Sequence, residues 1–171
     1  RIVDMPGSAQ TMFFLAFPGV AAGAAEVQPT RAGTIVLGGT FTSRLNGLLR
    51  EQKGYTYGVR AGTDVGVLPG VQTIRTRIRT NVTAEAMADI VAELVKIRAG
   101  ITPAELVKAQ GAFRSDLVEA METREGAAMT LAAYQDLGLP PDSMARELAS
   151  MNAVTTAAVA AEMARFDLAR A

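Results

Sequence analysis

Apolar and polar positions in the first half of the chain indicate three β-strands. Residues 10–17 (QTMFFLAF) carry apolar side chains on both faces, which predicts a strand in the middle of a sheet. Residues 56–65 and 72–80 predict two further strands. A turn at residues 66–70 joins these two strands, so we expect them to form a hairpin.

The second half of the chain changes to the helical period. A helix is predicted from Thr83 to Gly100, and its apolar stripe consists of Met87, Ile90, Val91, Leu94 and Val95. Thr102-Pro103-Ala104-Glu105 is a capping box with proline at the first helical position, which predicts a helix over residues 103–122. Further helices are predicted over residues 124–137, 142–151 and 155–165.

One segment of the first half supports two interpretations. Pro29 is well placed to open a helix through Leu37. The β-branched run Thr34-Ile35-Val36 favours a strand instead. Propensity alone does not choose between them.

The order of the elements indicates the fold class. Strands and helices are mixed early in the chain and helices alone follow, which predicts an α+β fold with an antiparallel or mixed sheet covered by helices on one face. A length of 171 residues suits one domain, so we expect a single domain over residues 1–171.

Charge and hydropathy exclude two classes of partner. Lys+Arg and Asp+Glu are both 17, so no global electrostatic attraction favours nucleic acid. No apolar run approaches the roughly 18 residues of a membrane span. We therefore expect a soluble protein that binds no nucleic acid and has no membrane span. The sequence leaves open whether it resides in the periplasm or the cytoplasm.

Histidine and cysteine are both absent. Zinc and copper sites usually depend on imidazole nitrogen or thiolate sulfur. Serine and cysteine nucleophiles commonly depend on an imidazole base. We therefore expect no metal, no cofactor and no independent catalytic centre in this chain.

The densest local pattern lies in residues 40–58. Three leucines have the i, i+3, i+4 spacing of a helix, and Gly54 follows where a helix C-terminus favours glycine. Tyr55-Thr56-Tyr57 then begins a strand. A left-handed Gly54 lets the chain double back, so Arg50 in the last helical turn and Tyr57 in the strand are expected to point into one space.

Two motifs flank this corner. Gly38 to Leu45 reads Gly-Gly-x-Phe-x-Ser-Arg-Leu, and Arg50 to Tyr57 reads Arg-Glu-x-x-Gly-x-x-Tyr. Together they resemble the C-terminal-domain signature of the insulinase/pitrilysin zinc peptidases, to which the mitochondrial processing peptidases belong. The zinc motif of that family, His-x-x-Glu-His with a distant Glu, is absent. The resemblance therefore implies a non-catalytic domain or subunit, and it favours a helix leading into Gly38-Gly39.

The resemblance also implies a partner and a site. A zinc-bearing insulinase-like domain or subunit would hold the metal, and this chain would form half of the chamber that binds the peptide substrate. Tyr57 would steady the oxyanion of the tetrahedral intermediate in trans, and Arg50 would hold the substrate carbonyl or carboxylate. A structural interpretation stays open, in which Arg50 caps helix carbonyls and Tyr57 packs in the sheet.

Two further alternatives stay open. Arg75, Arg77 and Arg79 share one face of their predicted strand, which is either a solvated face or a wall that contacts a peptide or partner. The chain as a whole is either the zinc-free half of a peptidase or a scaffold protein of the same fold. Exposure of Arg50 and Tyr57 on a concave wall favours the first, and burial favours the second.

Overall fold

A computed structural model describes residues 2–168, so Arg1 and residues 169–171 at the ends of the expected domain lie outside the description. Its sheet is antiparallel and consists of three strands: β1 (Gln10–Pro18), β2 (Thr56–Asp64) and β3 (Val71–Arg79). The central strand is β3, which pairs with β1 on one side and β2 on the other. The predicted hairpin of β2 and β3 is confirmed.

The other elements are helices. The first, α1 (Val27–Thr34), continues into a π-helix over Ile35–Gly39, which confirms the helical interpretation of this segment. A second π-helix spans Asn46–Gln52 and carries Arg50. The remaining α-helices are α2 (Thr83–Arg98), α3 (Pro103–Met121), α4 (Arg124–Asp136), α5 (Ser143–Asn152) and α6 (Thr156–Met163), with a short 3₁₀ turn over Thr80–Val82 before α2.

The hydrophobic core lies between one face of the sheet and the helices. Ile74 and Ile78 of β3 belong to the same buried cluster as Leu49 of the second π-helix and Ile90 and Leu94 of α2. Burying one large aliphatic side chain contributes about 1.5–3 kcal/mol, so this cluster holds the helices on the sheet. The predicted fold class is confirmed: an α+β fold with an antiparallel sheet and helices on one face.

The prediction that residues 10–17 form a central strand is wrong. β1 lies at the edge of the sheet, and its apolar side chains on the open face are not covered. Met12 is 67% exposed and Phe14 is 58% exposed. An apolar side chain on both faces normally indicates burial on both sides, but here the outward-facing pair borders a groove described below.

The predicted apolar stripe of α2 is wrong in three of its five members. Ile90 and Leu94 are buried, whereas Met87, Val91 and Val95 are at the surface. The helix carries two apolar stripes, and it buries the one that continues from Ile90 and Leu94 to Ile97. None of the helices within residues 2–168 has the length and apolar character needed to cross a membrane.

Candidate functional site

A groove lies between the open face of the sheet and the second π-helix. Its volume is about 960 Å³, which is in the range of ligand-binding clefts. Arg50 and Tyr57, which the sequence places near one space, both line it. The sheet contributes Met12, Phe14, Arg60, Arg75 and Arg77.

Tyr57 lies in a β-bulge. The pairing of β2 with β3 shifts by one residue between Thr56 and Val59, so Tyr57 and Gly58 together lie opposite one residue of β3. A bulge bends its strand and re-aims a side chain. Tyr57 is 90% exposed, and no hydrogen bond of its hydroxyl occurs within residues 2–168. The phenol is therefore free to donate to a ligand in the groove.

Two threonine hydroxyls stabilise this bulge. Thr76 Oγ1 donates to the Gly58 carbonyl oxygen at 2.9 Å, and Thr56 Oγ1 accepts from the Gly58 N–H at 3.1 Å. The two hydroxyl oxygens lie 2.9 Å apart. Sequence reasoning missed both threonines. The available signal was a polar residue, Thr76, at a core-facing position of its strand.

Arg50 is positioned by an aromatic ring. Its guanidinium carbon lies 4.1 Å from the centroid of the Phe41 ring, and its Nη1 lies 3.2 Å from Glu51 Oε1. Stacking on a ring fixes the guanidinium plane while its N–H groups remain available to a ligand. In the structural alternative, the Arg50 side chain would donate to helix carbonyls and the Tyr57 side chain would pack in the sheet. Neither contact occurs in the described part of the chain.

Gly54 ends the second π-helix at the corner between the helix and the strand. Its φ is 62°, in the left-handed region that the sequence predicts for it. The Gly54 N–H donates to the Arg50 carbonyl at 3.2 Å, and the Tyr55 N–H donates to the Leu49 carbonyl at 2.8 Å. These bonds close the helix end and direct the chain into β2.

Asn46, a residue that sequence reasoning missed, ties the Arg50 helix to the Tyr57 strand. Its Nδ2 donates to the Val59 carbonyl at 3.0 Å, and its Oδ1 accepts from the Val59 N–H at 2.7 Å. The Asn46 amide therefore pairs with the outer edge of β2 as a neighbouring strand would. Asn46 is only 5% exposed, so these bonds are shielded from water.

A second cavity of about 440 Å³ is bordered by the same π-helix, α2 and α3. The π-helix contributes different residues to this cavity than to the groove, including Gly47, Leu48 and Gln52. Its charged side chains have partners: Arg44 pairs with Glu105, Lys96 with Glu93, and Lys108 with the Thr42 carbonyl. We call this the paired cavity.

Glu105 lines the paired cavity and also takes part in the N-terminal cap of α3. Arg44 binds its carboxylate through two hydrogen bonds, Nε to Oε1 at 2.6 Å and Nη2 to Oε2 at 2.8 Å. The same carboxylate accepts from the Thr102 N–H at 2.8 Å, so the predicted capping box is confirmed. The hydrogen bonds from Arg44 lower the pKa of Glu105 to about 2.

Comparison with known proteins assigns the family. The family model of the peptidase M16 inactive domain matches residues 1–113, which is more than half of the chain. The chain belongs to the peptidase M16 inactive-domain family. The resemblance to insulinase/pitrilysin-type peptidases is thereby confirmed. The match includes the groove, both π-helices and all three strands.

Solved structures share the fold of this M16 inactive domain. The peptidase M16 inactive domain from Pseudomonas fluorescens has a TM-score of 0.82 at 23% identity, over 95% of this chain and 39% of that one. A protease from Helicobacter pylori has a TM-score of 0.82 at 20% identity, over 94% and 39%. This chain thus spans 39% of the length of both proteins.

Another solved structure is of a protein about as long as this chain. The inactive peptidase domain of a Bordetella parapertussis protein described as a zinc protease has a TM-score of 0.78 at 13% identity, over 95% of this chain and 89% of that one. These identities establish a common fold. No curated protein sequence matches the chain.

The side chains of this M16 inactive domain do not fit a resident zinc ion. Within residues 2–168, no three His, Cys, Asp or Glu side chains lie together in a group that could hold a metal. The sequence has no imidazole or thiolate donors, which zinc sites in proteins generally use. Any zinc of the working protein would need ligands from another domain or chain.

Proposed function

We propose that this M16 inactive domain forms one wall of a peptide-binding chamber in a peptidase whose zinc is held by another domain or subunit. In this proposal residues 1–171 act as one domain. The observation that carries it is the placement of Tyr57, an exposed phenol held in a bulge beside Arg50 in a groove of about 960 Å³. This volume lies in the range of protein clefts that bind ligands.

Arg50 and Tyr57 supply hydrogen-bond donors to the bound peptide. Tyr57 donates its phenolic proton towards the oxygen on which negative charge develops during hydrolysis. Arg50 binds a substrate carbonyl or carboxylate through the N–H groups that its stacking on Phe41 leaves available. Stacking on Phe41 orients Arg50 before the peptide arrives, which favours electrostatic stabilisation, and the bulge sets the backbone position from which the Tyr57 side chain extends.

The second candidate function is a scaffold of the same fold without a proteolytic role. It is favoured if Arg50 and Tyr57 are buried or occluded. Tyr57 is 90% exposed and the Arg50 side chain is 31% exposed, which supports the chamber proposal instead.

The test is peptide hydrolysis by this chain combined with a zinc-bearing M16 domain encoded in the same or an adjacent reading frame. Tyr57→Phe should reduce kcat by roughly 10²-fold, the size expected for one lost oxyanion donor, and leave the fold unchanged. Tyr55→Phe is the matched control, because Tyr55 precedes the same strand but does not line the groove. Unchanged kcat in Tyr57→Phe would reject the catalytic role and favour the scaffold.

A further inference from the structure

The charged side chains of the groove are all cationic. Its lining includes four arginines, Arg50, Arg60, Arg75 and Arg77, and no aspartate or glutamate. The chain as a whole has equal numbers of acidic and basic residues. The groove therefore concentrates positive charge on one surface of a protein without net charge, and such a local field attracts anionic ligands.

Two of these arginines face each other across the sheet. In the register of β2 and β3, Arg60 lies directly opposite Arg75. Like charges in directly opposite positions destabilise a sheet. No carboxylate within residues 2–168 forms an ion pair with Arg60, Arg75 or Arg77. The sheet thus carries a repulsive arrangement that a bound anion would relieve.

The floor beside the arginines is apolar. Phe14 of β1 lies opposite Arg75, and Met12 lies opposite Arg77. Each exposed apolar side chain of the edge strand is therefore next to one arginine of the central strand. A ligand that fits this surface combines apolar groups with negative charges at the spacing of alternate strand residues, about 7 Å.

We propose that the peptide bound in this groove is acidic, with Asp or Glu side chains at alternate residues placed to meet Arg60, Arg75 and Arg77 and with the methylene groups of these side chains packed beside Met12 and Phe14. This inference deepens the proposed function and rests on it, because it assigns a substrate class to the same chamber wall. An extended peptide presents side chains to one face at every second residue, which matches the spacing of Arg75 and Arg77.

The experiment measures binding of three fluorescent peptides to the 171-residue chain without a peptidase partner. Each peptide has nine residues, the length of β3, and alternates a variable residue with serine. The variable residue is Glu, Gln or Lys. The Glu peptide should bind about tenfold more tightly than the Gln peptide at low ionic strength, and the Lys peptide should bind most weakly. The preference should fall as salt rises.

A charge-neutral variant locates the effect. Arg75→Gln/Arg77→Gln should remove the preference for the Glu peptide and leave binding of the Gln peptide within about twofold. Arg79→Gln is the matched control, because Arg79 is exposed on the same strand and face but does not line the groove. Arg75→Gln alone serves as a second, milder variant, and it should lose part of the preference.

The outcomes separate this inference from the proposed function. Equal binding of the Glu and Gln peptides overturns the acidic preference only, and an equal loss in Arg79→Gln also overturns it. Competition by a short oligothymidylate at the affinity of the Glu peptide overturns it in favour of nucleic acid. Tyr55→Phe, at a residue that does not line the groove, should bind the Glu peptide like the parent chain. Binding is measured without hydrolysis, so a failed hydrolysis test leaves this measurement interpretable. Absence of binding by all three peptides contradicts both proposals.

Discussion

The second π-helix borders two cavities whose charges are arranged differently. In the paired cavity, Arg44 and Glu105 satisfy each other through two hydrogen bonds. In the groove, Arg75 and Arg77 have no carboxylate partner within residues 2–168. The first arrangement ties the segment just before the second π-helix to α3, whereas the second leaves charge available to a ligand. The volumes of the two cavities do not distinguish a structural role from a binding role. The presence or absence of ion pairs among their charged side chains does.

The comparison assigns separate tasks to the two faces of one short helix. Asn46 and Arg50 line the groove, and Gly47 and Leu48 line the paired cavity. Substitutions on the cavity face should therefore change stability, and substitutions of the groove arginines should change binding. Asn46 is the exception, because it lines the groove and also holds the edge of β2.

The largest expected effect on the free energy of unfolding is that of Asn46→Ala. This change leaves the buried N–H and C=O of Val59 without a partner, and each such group costs about 1–3 kcal/mol. We expect the free energy of unfolding to fall by about 3 kcal/mol in urea denaturation. The control is Asn152→Ala, at an exposed residue, which should stay within about 0.5 kcal/mol. A loss equal to that of the control would show that Asn46 does not hold the strand.

A smaller loss of folding stability is expected when acid protonates Glu105 and breaks its ion pair with Arg44. Arg44 holds the folded-state pKa of Glu105 at about 2, below the ordinary 4.5. The stabilisation is therefore present above about pH 4.5 and is lost as the pH falls towards 2. Because the pair is partly exposed, we expect it to contribute about 1 kcal/mol.

The measurement is the free energy of unfolding at neutral pH and at pH 3, compared between the parent chain and Glu105→Gln. The difference between the two proteins should be largest at neutral pH and should shrink in acid. Glu119→Gln, at an exposed carboxylate of the same helix, is the control. A difference that stays constant with pH would contradict the lowered pKa of Glu105.

The smallest effect is expected at Gly47. A Cβ added at Gly47 meets no atom within 4 Å, whereas one added at Gly38 would lie 2.9 Å from the Ala61 Cβ. Gly47→Ala should raise the free energy of unfolding by about 0.5 kcal/mol and leave peptide binding unchanged. Gly38→Ala should lower it, because the first π-helix packs closely on β2. If Gly47→Ala weakens peptide binding, the paired cavity is part of the binding site.

Local patterns predicted much of this fold. The capping box at Thr102 gave the start of α3, and the alternation along β3 gave the hairpin and its arginine face. The position of β1 was not predictable in the same way. Its apolar residues on both faces indicate burial, but the structure uses one face for the core and the other for the groove.

The site was predictable only in part. The motif predicted Arg50, Gly54 and Tyr57 as site residues, and Arg50 and Tyr57 line the groove. The bulge at Tyr57 and the amide of Asn46 depend on how β2 meets β3 and the second π-helix. Such contacts between segments distant in sequence leave only a polar residue at a buried position as a local signal.

The most direct test of the difference between the two cavities is a map of backbone amide chemical shifts during titration with the Glu peptide. We predict that the perturbed amides cluster around Tyr57, Arg60, Arg75 and Arg77. The chemical shifts of the Glu93 and Glu105 amides in the paired cavity should not change. Perturbations centred on the paired cavity, with the groove unchanged, would contradict the assignment of peptide binding to the unpaired arginines.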